Sequence, residues 1–158
     1  MLEINDNLID YVSQKAKEST RKRANYNFHK SCDECVQRFL NAIEPNSYVR
    51  PHKHMHSNVN EIFLILRGRV LVVEFNDKGE ITNHVVLNFE NGIKGVELPP
   101  NTWHSLITLE ENSVLYEIRA GPYKEETDKV FADWAPYEGT NEAREFINKV
   151  LSTYALEA

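Results

Sequence analysis

Hydrophobic and polar residues alternate through the middle of the chain, in short runs that turn residues separate. Successive side chains of a β-strand point to opposite faces, so a period of two predicts strands. The predicted strands are 36–43, 48–54, 61–67, 70–75, 81–87, 96–98, 104–109 and 113–120. Short strands at this spacing, with turn-rich connections and no interleaved helices, indicate an all-β sandwich or barrel.

The two ends of the chain follow a helical period instead. Apolar residues recur at helical spacing in residues 6–19, and again in residues 141–155, so each stretch predicts an amphipathic helix. Residues 20–27 are polar and basic, and we predict a loop there. The sequence thus indicates one domain over residues 1–158, with a barrel at about 36–120 between two flanking helices.

Composition and charge limit the classes of function. Of the 158 residues, 41% are hydrophobic and 27% charged, and the net charge is -6. An acidic surface argues against nucleic acid or a membrane surface as the partner. The N-terminal residues lack the basic and apolar regions of a signal peptide, and no apolar run is long enough to span a bilayer, which predicts a cytoplasmic location.

Cys32 and Cys35 are the only cysteines and have Cys-x-x-Cys spacing. This spacing occurs in redox dithiols and in zinc sites. The chain has no second cysteine pair, and no thioredoxin-like strand and helix surround this one. We therefore expect two reduced thiols near the surface, and their role stays open.

Two polar segments interrupt the β pattern and carry candidate metal ligands. His52, His54 and His56 alternate in the first segment and Glu61 follows them, while His104 ends the second segment, at 99–104. Alternate residues of a strand share a face, so two imidazoles, a carboxylate and a third imidazole can converge on one cation. Such nitrogen and oxygen ligands suit a divalent transition metal, whether Mn, Fe, Ni or Zn.

These segments resemble the two motifs of the cupin superfamily. The first motif of that superfamily has a glycine, then His-x-His, Glu and a second glycine, and Glu61 and Gly68 have its separation. The second motif contains Pro-x-Gly-x-x-His, which residues 99–104 match with Asn101 in the glycine place. The resemblance implies a cupin double-stranded β-helix, a jelly-roll barrel.

The chain is more specifically similar to the WbuC-type cupin-fold metalloproteins. The similar segments, which cover most of the chain in the same order, are 24–29, 36–42, 48–54, 99–104, 121–123 and 133–136. The resemblance implies a link to surface polysaccharide metabolism, and related proteins have been labelled sugar-phosphate isomerases. It also aligns His52 and His54 as the His-x-His pair.

Two registers of the first motif are open. If His54 and His56 form the pair, the gap to Glu61 has the usual length, but Tyr48 takes the place of the leading glycine. If His52 and His54 form it, Asn46 takes that place, and asparagine tolerates the left-handed backbone that glycine supplies. We choose the second register, which predicts His52, His54, Glu61 and His104 as metal ligands, with His56 in place of His52 as the alternative.

Alternation also predicts the surroundings of the metal. Arg50 and Tyr48 should share the face of His52 and His54 and contact the ligand, and Arg50 offers a fork of donors for a carboxylate or phosphate. An ion pair between Arg50 and Glu117 is the structural alternative. Phe63 and Ile65, in phase with Glu61, should form an apolar wall.

The sequence leaves several functions open. A metal-dependent isomerase or epimerase acting on a sugar or sugar-phosphate is the leading hypothesis, with Lewis-acid polarisation of the substrate. The alternatives are an iron-dependent dioxygenase and a non-catalytic sugar-binding accessory protein. No acid–base residue can be assigned, although His56, Tyr116 and Glu117 are candidates. A homodimer is expected for such a barrel.

Overall fold

Helices flank a set of short antiparallel strands along the chain. The computed structural model describes residues 1–54, 60–124 and 129–156. In chain order the elements are α1 Asp6–Glu18, β1 Arg23–Asn27, β2 Val36–Ile43, β3 His52–Lys53, β4 Glu61–Arg67, β5 Arg69–Phe75, β6 Ile81–Asn88, β7 Gly95–Leu98, β8 Trp103–Thr108, β9 Ser113–Ala120, β10 Val130–Phe131 and α2 Asn141–Thr153. Both predicted helices are present, and the bounds of β2, β4 and β9 are those that the alternation predicts.

The strands form two antiparallel sheets. Sheet A has the order β1-β2-β9-β4-β7, and sheet B has the order β10-β3-β8-β5-β6. The inward side chains of both sheets meet in one apolar cluster, whose buried members are Ile43, Phe63, Ile65, Val70, Val72, Leu87, Leu98, Leu106 and Leu115. Burial of this area supplies the main driving force that holds the two sheets together.

Each helix covers the outer face of one sheet. On sheet A, Val12 and Ala16 of α1 pack against Leu40. On sheet B, Ile147 of α2 packs against Ile107. Both amphipathic helices therefore bury their apolar faces, as their period predicts. No helix in the described ranges is long and apolar enough to cross a membrane.

Two stretches differ from the sequence prediction. Residues Arg23–Asn27 form the edge strand β1, which pairs with β2, and not a loop. Alternation explains the strand, because Ala24 and Tyr26 pack against the α1 cluster. The predicted strand 48–54 is reduced to His52–Lys53. Pro51 precedes it and cannot donate to a ladder hydrogen bond.

Candidate metal centre

Three imidazoles converge at one end of the barrel interior. His52 and His104 lie directly opposite each other on β3 and β8, and His54 follows β3. Their ring centroids are 4.5 Å apart for His52 and His104, 5.3 Å for His52 and His54, and 5.8 Å for His54 and His104. One nitrogen of each ring lies within 4.8 Å of the others, a spacing at which all three can bind one ion.

A carboxylate from the opposite sheet completes the cluster. Glu61 opens β4, and its Oε2 lies 3.1 Å from Nε2 of His104 and 3.4 Å from Nε2 of His54. Glu61, His52 and His104 are buried, and the side chain of His54 is 12% exposed. The structure thus brings together the four residues that the sequence predicts as metal ligands.

The hydrogen bonds of two imidazoles fix which ring nitrogen is available. Nδ1 of His52 lies 2.9 Å from the carbonyl oxygen of Arg50, and Nδ1 of His104 lies 2.9 Å from that of Thr102. A carbonyl only accepts, so each Nδ1 carries the proton and donates it. In its neutral form each of these rings therefore keeps the lone pair on Nε2, as a metal ligand requires.

The charges of the cluster also suit a cation. Burial lowers the pKa of His52 well below its usual value, with a smaller contribution from the positive charge of Lys129. Burial alone would raise the pKa of Glu61, but the neighbouring His104 and His54 outweigh it and hold that pKa well below its usual value. A neutral imidazole and an ionised carboxylate are the forms that bind metals.

Glu61 provides a test of fit for the metal. Its Oε2 is buried and makes no hydrogen bond of normal geometry. A buried carboxylate oxygen is costly in that state unless it is paired or coordinates a metal. Three imidazole nitrogens and one carboxylate oxygen fit a divalent transition metal.

Backbone conformation agrees with the register that we chose. Asn46 has a φ of 65° and Asn101 a φ of 60°, so both occupy the left-handed region that glycine occupies in the cupin motifs. Both asparagine predictions are confirmed. His56, the alternative ligand, lies outside the described residues.

Glu117 lies beside the cluster, in the middle of sheet A. On the neighbouring strands Phe39 and Phe63 are its register partners, so two aromatic side chains flank the carboxyl group. Nδ2 of Asn41 donates to Oε2 of Glu117 over 2.9 Å. Burial, and then the charge of Glu61, raise the pKa of Glu117 to about 8. Glu117 therefore holds a proton at neutral pH.

Glu117 was among the acid–base candidates predicted from the sequence, but the direction of its side chain was not predicted. Asn41 was not among those candidates. The available signal was alternation along β9, because Leu115 lies two residues before Glu117 and packs in the interior. No comparable signal identifies Asn41. Its role depends on the pairing of β2 with β9, which the sequence alone does not give.

The structure corrects the predicted facing of Tyr48. This side chain packs in the cluster between sheet B and α2, and its hydroxyl donates to the carbonyl oxygen of Pro136 over 3.1 Å. It also borders a cavity of about 440 Å³ beside the start of α2, outside the barrel interior. Alternation does not extend to Tyr48, because β3 begins only at His52.

Arg50 differs from the prediction for the same reason. Its Nη2 donates to the carbonyl oxygen of Ala132 over 2.8 Å, and its guanidinium lies 4.3 Å from the ring centre of Tyr137 and 5.4 Å from that of Phe131. These contacts are not the predicted ion pair with Glu117. Arg50 thus contacts the ring of Phe131, whose centre is 6.0 Å from that of His52.

The predicted apolar wall is present. Phe63 is buried two residues after Glu61 on β4, and its ring centre lies 6.1 Å from that of His104. Cys32 and Cys35 are exposed free thiols. In the described part of the chain, the three histidines are the one group of three His, Cys, Asp or Glu side chains close enough to share an ion.

Known structures share this fold. The chain is similar to the capsular polysaccharide assembling protein CapF from Staphylococcus aureus, with 19% identity and a TM-score of 0.55 over 72% of this chain and 32% of CapF. It is also similar to the DMSP lyase DddQ from Ruegeria pomeroyi DSS-3, with 17% identity and a TM-score of 0.51 over 69% of this chain and 51% of DddQ. The predicted fold, a cupin jelly roll with a helix at each end, is confirmed.

These likenesses show the fold alone. A third similar structure, oxalate decarboxylase from Lactobacillus farciminis, has 14% identity and a TM-score of 0.48 over 62% of this chain and 27% of that one, too low to carry an argument. The chain spans about a third to a half of the length of CapF and DddQ.

The chain belongs to a family described as a domain of unknown function, DUF6016. That family model matches residues 4–87, more than half of the chain and a stretch that includes His52, His54 and Glu61. No curated protein matches. The chain therefore combines a cupin fold with a buried three-histidine cluster, and the finer WbuC-type assignment stays a prediction.

Proposed function

We propose that this protein is a metal-dependent enzyme that moves a proton on a sugar or sugar-phosphate, in the manner of an isomerase or epimerase. The observation that carries the proposal is the buried cluster of His52, His54, His104 and Glu61. Two of its imidazoles donate through Nδ1 to backbone carbonyls and keep Nε2 available. A structural histidine cluster would not need this common orientation.

Four protein ligands leave one or two coordination positions for substrate on a metal that accepts five or six. Such open positions distinguish a working site from a structural one. When bound, a divalent metal would supply Lewis-acid polarisation of a carbonyl or of vicinal hydroxyls.

Glu117 is the residue that we assign to the proton. Asn41 orients its carboxyl group, and the flanking rings of Phe39 and Phe63 exclude water from it. In the metal-free protein burial raises the pKa of this carboxyl group to about 8, so it can both hold and release a proton near neutral pH. Glu117 would thus donate a proton to, or take one from, the substrate carbon or oxygen next to it.

The substrate class is supported by resemblance. The WbuC-type similarity and the polysaccharide-assembly name of the neighbour CapF both suggest surface polysaccharide metabolism. We accordingly propose a small sugar-related ligand, a cytoplasmic location and a homodimeric state, and neither nucleic acid nor a membrane as partner. Light scattering after size exclusion would test the dimer.

Elemental analysis tests the metal centre. Protein purified without added metal should contain about one divalent ion per chain. The His52→Ala, His54→Ala and His104→Ala variants should each lose at least about ten-fold in metal affinity. His84→Ala is the matched control, because His84 is exposed and stacks on Tyr154. Metal retention in His52→Ala together with loss in His56→Ala would show that the other register is correct.

Hydrogen exchange tests the proton transfer. Metal-loaded protein should exchange the proton on the carbon next to the carbonyl of an aldose or ketose phosphate in D₂O, without O₂, as NMR would detect. Glu117→Gln should slow this exchange by about 10²–10⁴-fold and keep its metal, because the amide cannot carry the proton. O₂ uptake with Fe(II) would indicate the dioxygenase, and ligand-induced stabilisation without exchange the accessory protein.

A further inference from the structure

One carboxyl group interrupts the apolar inner face of sheet B. Along β5, Val70 and Val72 pack in the apolar cluster of the barrel interior, and Glu74 follows them. Because side chains two residues apart on a strand share a face, Glu74 also points into the barrel. It is partly buried on an inner strand, between β8 and β6. An apolar side chain at this position would extend the core, so the core does not account for a carboxyl group.

Glu74 is the cross-strand neighbour of a candidate metal ligand. In the register of β5 and β8 it lies directly opposite His104, which in turn lies opposite His52 on β3. Directly opposite residues of an antiparallel pair share a face, and their Cβ atoms are about 4.5–5.5 Å apart. Glu74 therefore extends the row of the two imidazoles by one strand.

Asn83 extends the same row to the edge strand β6. It is the register partner of Glu74, and the side chains of Val85 and Leu87, further along β6, pack in the interior cluster. Oδ1 of Asn83 accepts from the backbone N–H of His84 over 2.9 Å. This bond uses the oxygen of the exposed Asn83 side chain, so its NH₂ group is available to donate to a ligand.

The two side chains offer complementary hydrogen-bonding groups. Among the residues that the structure describes, no side chain pairs with the carboxyl group of Glu74. Its oxygens accept hydrogen bonds and the NH₂ group of Asn83 donates them, whereas a hydroxyl group can do both. An acceptor and a donor on adjacent strands therefore match a ligand with hydroxyl groups on neighbouring carbons.

We propose that Glu74 and Asn83 form a subsite that binds hydroxyl groups of the ligand beside the metal. A hydroxyl would donate to Glu74, and it or its neighbour would accept from Asn83, while another oxygen of the same molecule approaches the metal. The inference rests on the proposed function and narrows its ligand to a polyhydroxy compound that presents neighbouring hydroxyls to sheet B.

Calorimetric titration of the metal-loaded full chain tests the subsite. The probes are glucose, galactose and mannose, followed by the monodeoxy derivatives of whichever sugar binds most tightly. In the wild type, removal of one particular hydroxyl should weaken binding about ten-fold or more, because a hydrogen bond to a carboxylate is lost. Glu74→Leu should bind the parent sugar about as weakly as this deoxy sugar, and should no longer distinguish the two.

Further variants separate the subsite from a general effect on the fold. Glu74→Gln keeps the shape and one acceptor oxygen, so it should keep part of the discrimination. Asn83→Ala should weaken binding of the parent sugar by less than Glu74→Leu, because its hydrogen bond is between neutral groups. Glu90→Leu is the matched control and should behave like the wild type, since Glu90 is exposed beyond the other end of β6.

Several outcomes would overturn the subsite. They are no binding of the three sugars by the wild type at millimolar concentration, equal affinity for the parent sugar and all its deoxy derivatives, and unchanged discrimination in Glu74→Leu. Loss of metal in both Glu74 variants would also overturn it, because Glu74 would then belong to the metal centre.

Failure of the proposed function is visible separately. Metal content is measured on every sample, and the sugar series is repeated on metal-stripped protein, so the subsite is measured even where the metal centre fails. Conversely, wild-type protein that holds metal and exchanges the substrate proton in D₂O, but binds sugars independently of Glu74, would retain the proposed function and lose the subsite.

Discussion

The barrel interior has two ends of opposite character, and the same strands line both. At the polar end lie three side chains of the site. Glu61 is the first residue of β4, His104 is the second residue of β8, and Glu117 lies in the second half of β9. At the apolar end, the inward positions of these strands hold Ile65, Leu106 and Leu115. A period of two decides which side chains face inward, and position along the strand decides whether they stabilise the fold or carry chemistry.

The two ends differ in what burial costs. Aliphatic side chains gain free energy when they leave water, at about 25 cal/mol for each Å² of apolar surface. Imidazoles and carboxylates lose hydration when they are buried, and hydrogen bonds or ion pairs with partners must compensate for that loss. At the polar end these partners, among the described residues, are other members of the site and nearby carbonyl groups. Removal of one member therefore leaves other members without a partner. Mutations at the two ends should therefore have different consequences.

The largest effect on stability is expected at the apolar end. Leu115→Ala removes a completely buried side chain from the central strand of sheet A, next to β2 and β4. We expect a loss of about 3 kcal/mol in the free energy of unfolding, from lost transfer energy and the remaining cavity. Urea denaturation measures it. The folded variant should still bind metal stoichiometrically, and loss of metal would contradict the separation of the two ends.

Metal addition should have the next largest effect, at the polar end. A ligand that binds only the folded state stabilises it by about 2.7 kcal/mol at a hundred times its dissociation constant. Differential scanning calorimetry should show this increase on metal addition, and show none in His104→Ala. His84→Ala should respond like the wild type. A response in His104→Ala equal to that of the wild type would place the ion elsewhere.

Glu117 should make stability depend on pH in an unusual direction. Its pKa is raised to about 8 in the fold by burial and then by the charge of Glu61, while Arg119 and Lys129 oppose the shift. The folded state thus keeps a proton that the unfolded state releases. Stability from this group is fully present below the unfolded pKa and is lost as pH rises through the folded pKa.

Comparison with Glu117→Gln isolates that contribution in metal-free protein. Between about pH 5.5 and pH 7 the wild type should lose about 2 kcal/mol relative to the variant, because only the wild type has this proton. His52, whose pKa is lowered in the fold, acts in the opposite direction but equally in both proteins. Parallel pH profiles of the two proteins would show that the carboxyl group of Glu117 is ionised.

The sequence could predict most of the fold because inward and outward positions alternate strictly. The bounds of β2, β4 and β9 follow from that pattern. The edge strand β1 escaped prediction because its alternating residues Ala24 and Tyr26 are the only apolar ones in a polar stretch.

Much of the site was predictable from spacing, and the remainder depends on strand pairing. The four candidate ligands lie in two short motifs, where local alternation is enough to align them. Asn41 joins the site only through the pairing of β2 with β9. Arg50 was placed wrongly because alternation was extended beyond the start of β3, where Pro51 interrupts the ladder.

The smallest effect is expected for two asparagines that have the same backbone conformation and lie at opposite ends of the barrel. Asn46 follows β2 where that strand reaches the apolar end, and Asn101 precedes β8 where that strand leaves the polar end. Their φ angles of 65° and 60° disfavour residues with a Cβ, and asparagine tolerates them because its short polar side chain can hydrogen-bond locally. Either change to alanine should therefore cost about 1 kcal/mol of stability. Glycine at either position should cost less, because it lacks a Cβ.

Only Asn101→Ala should also weaken metal binding. His104 donates from Nδ1 to the carbonyl oxygen of Thr102, the residue after Asn101, so a distorted turn would reorient this imidazole. Asn46 is six residues before His52, whose Nδ1 lies against the carbonyl oxygen of Arg50 and not against a carbonyl of the Asn46 turn. Metal titration of both variants, with the glycine variants as controls, would measure the difference. Equal loss of metal affinity in both alanine variants would show that the two ends are coupled through the whole barrel and do not act separately.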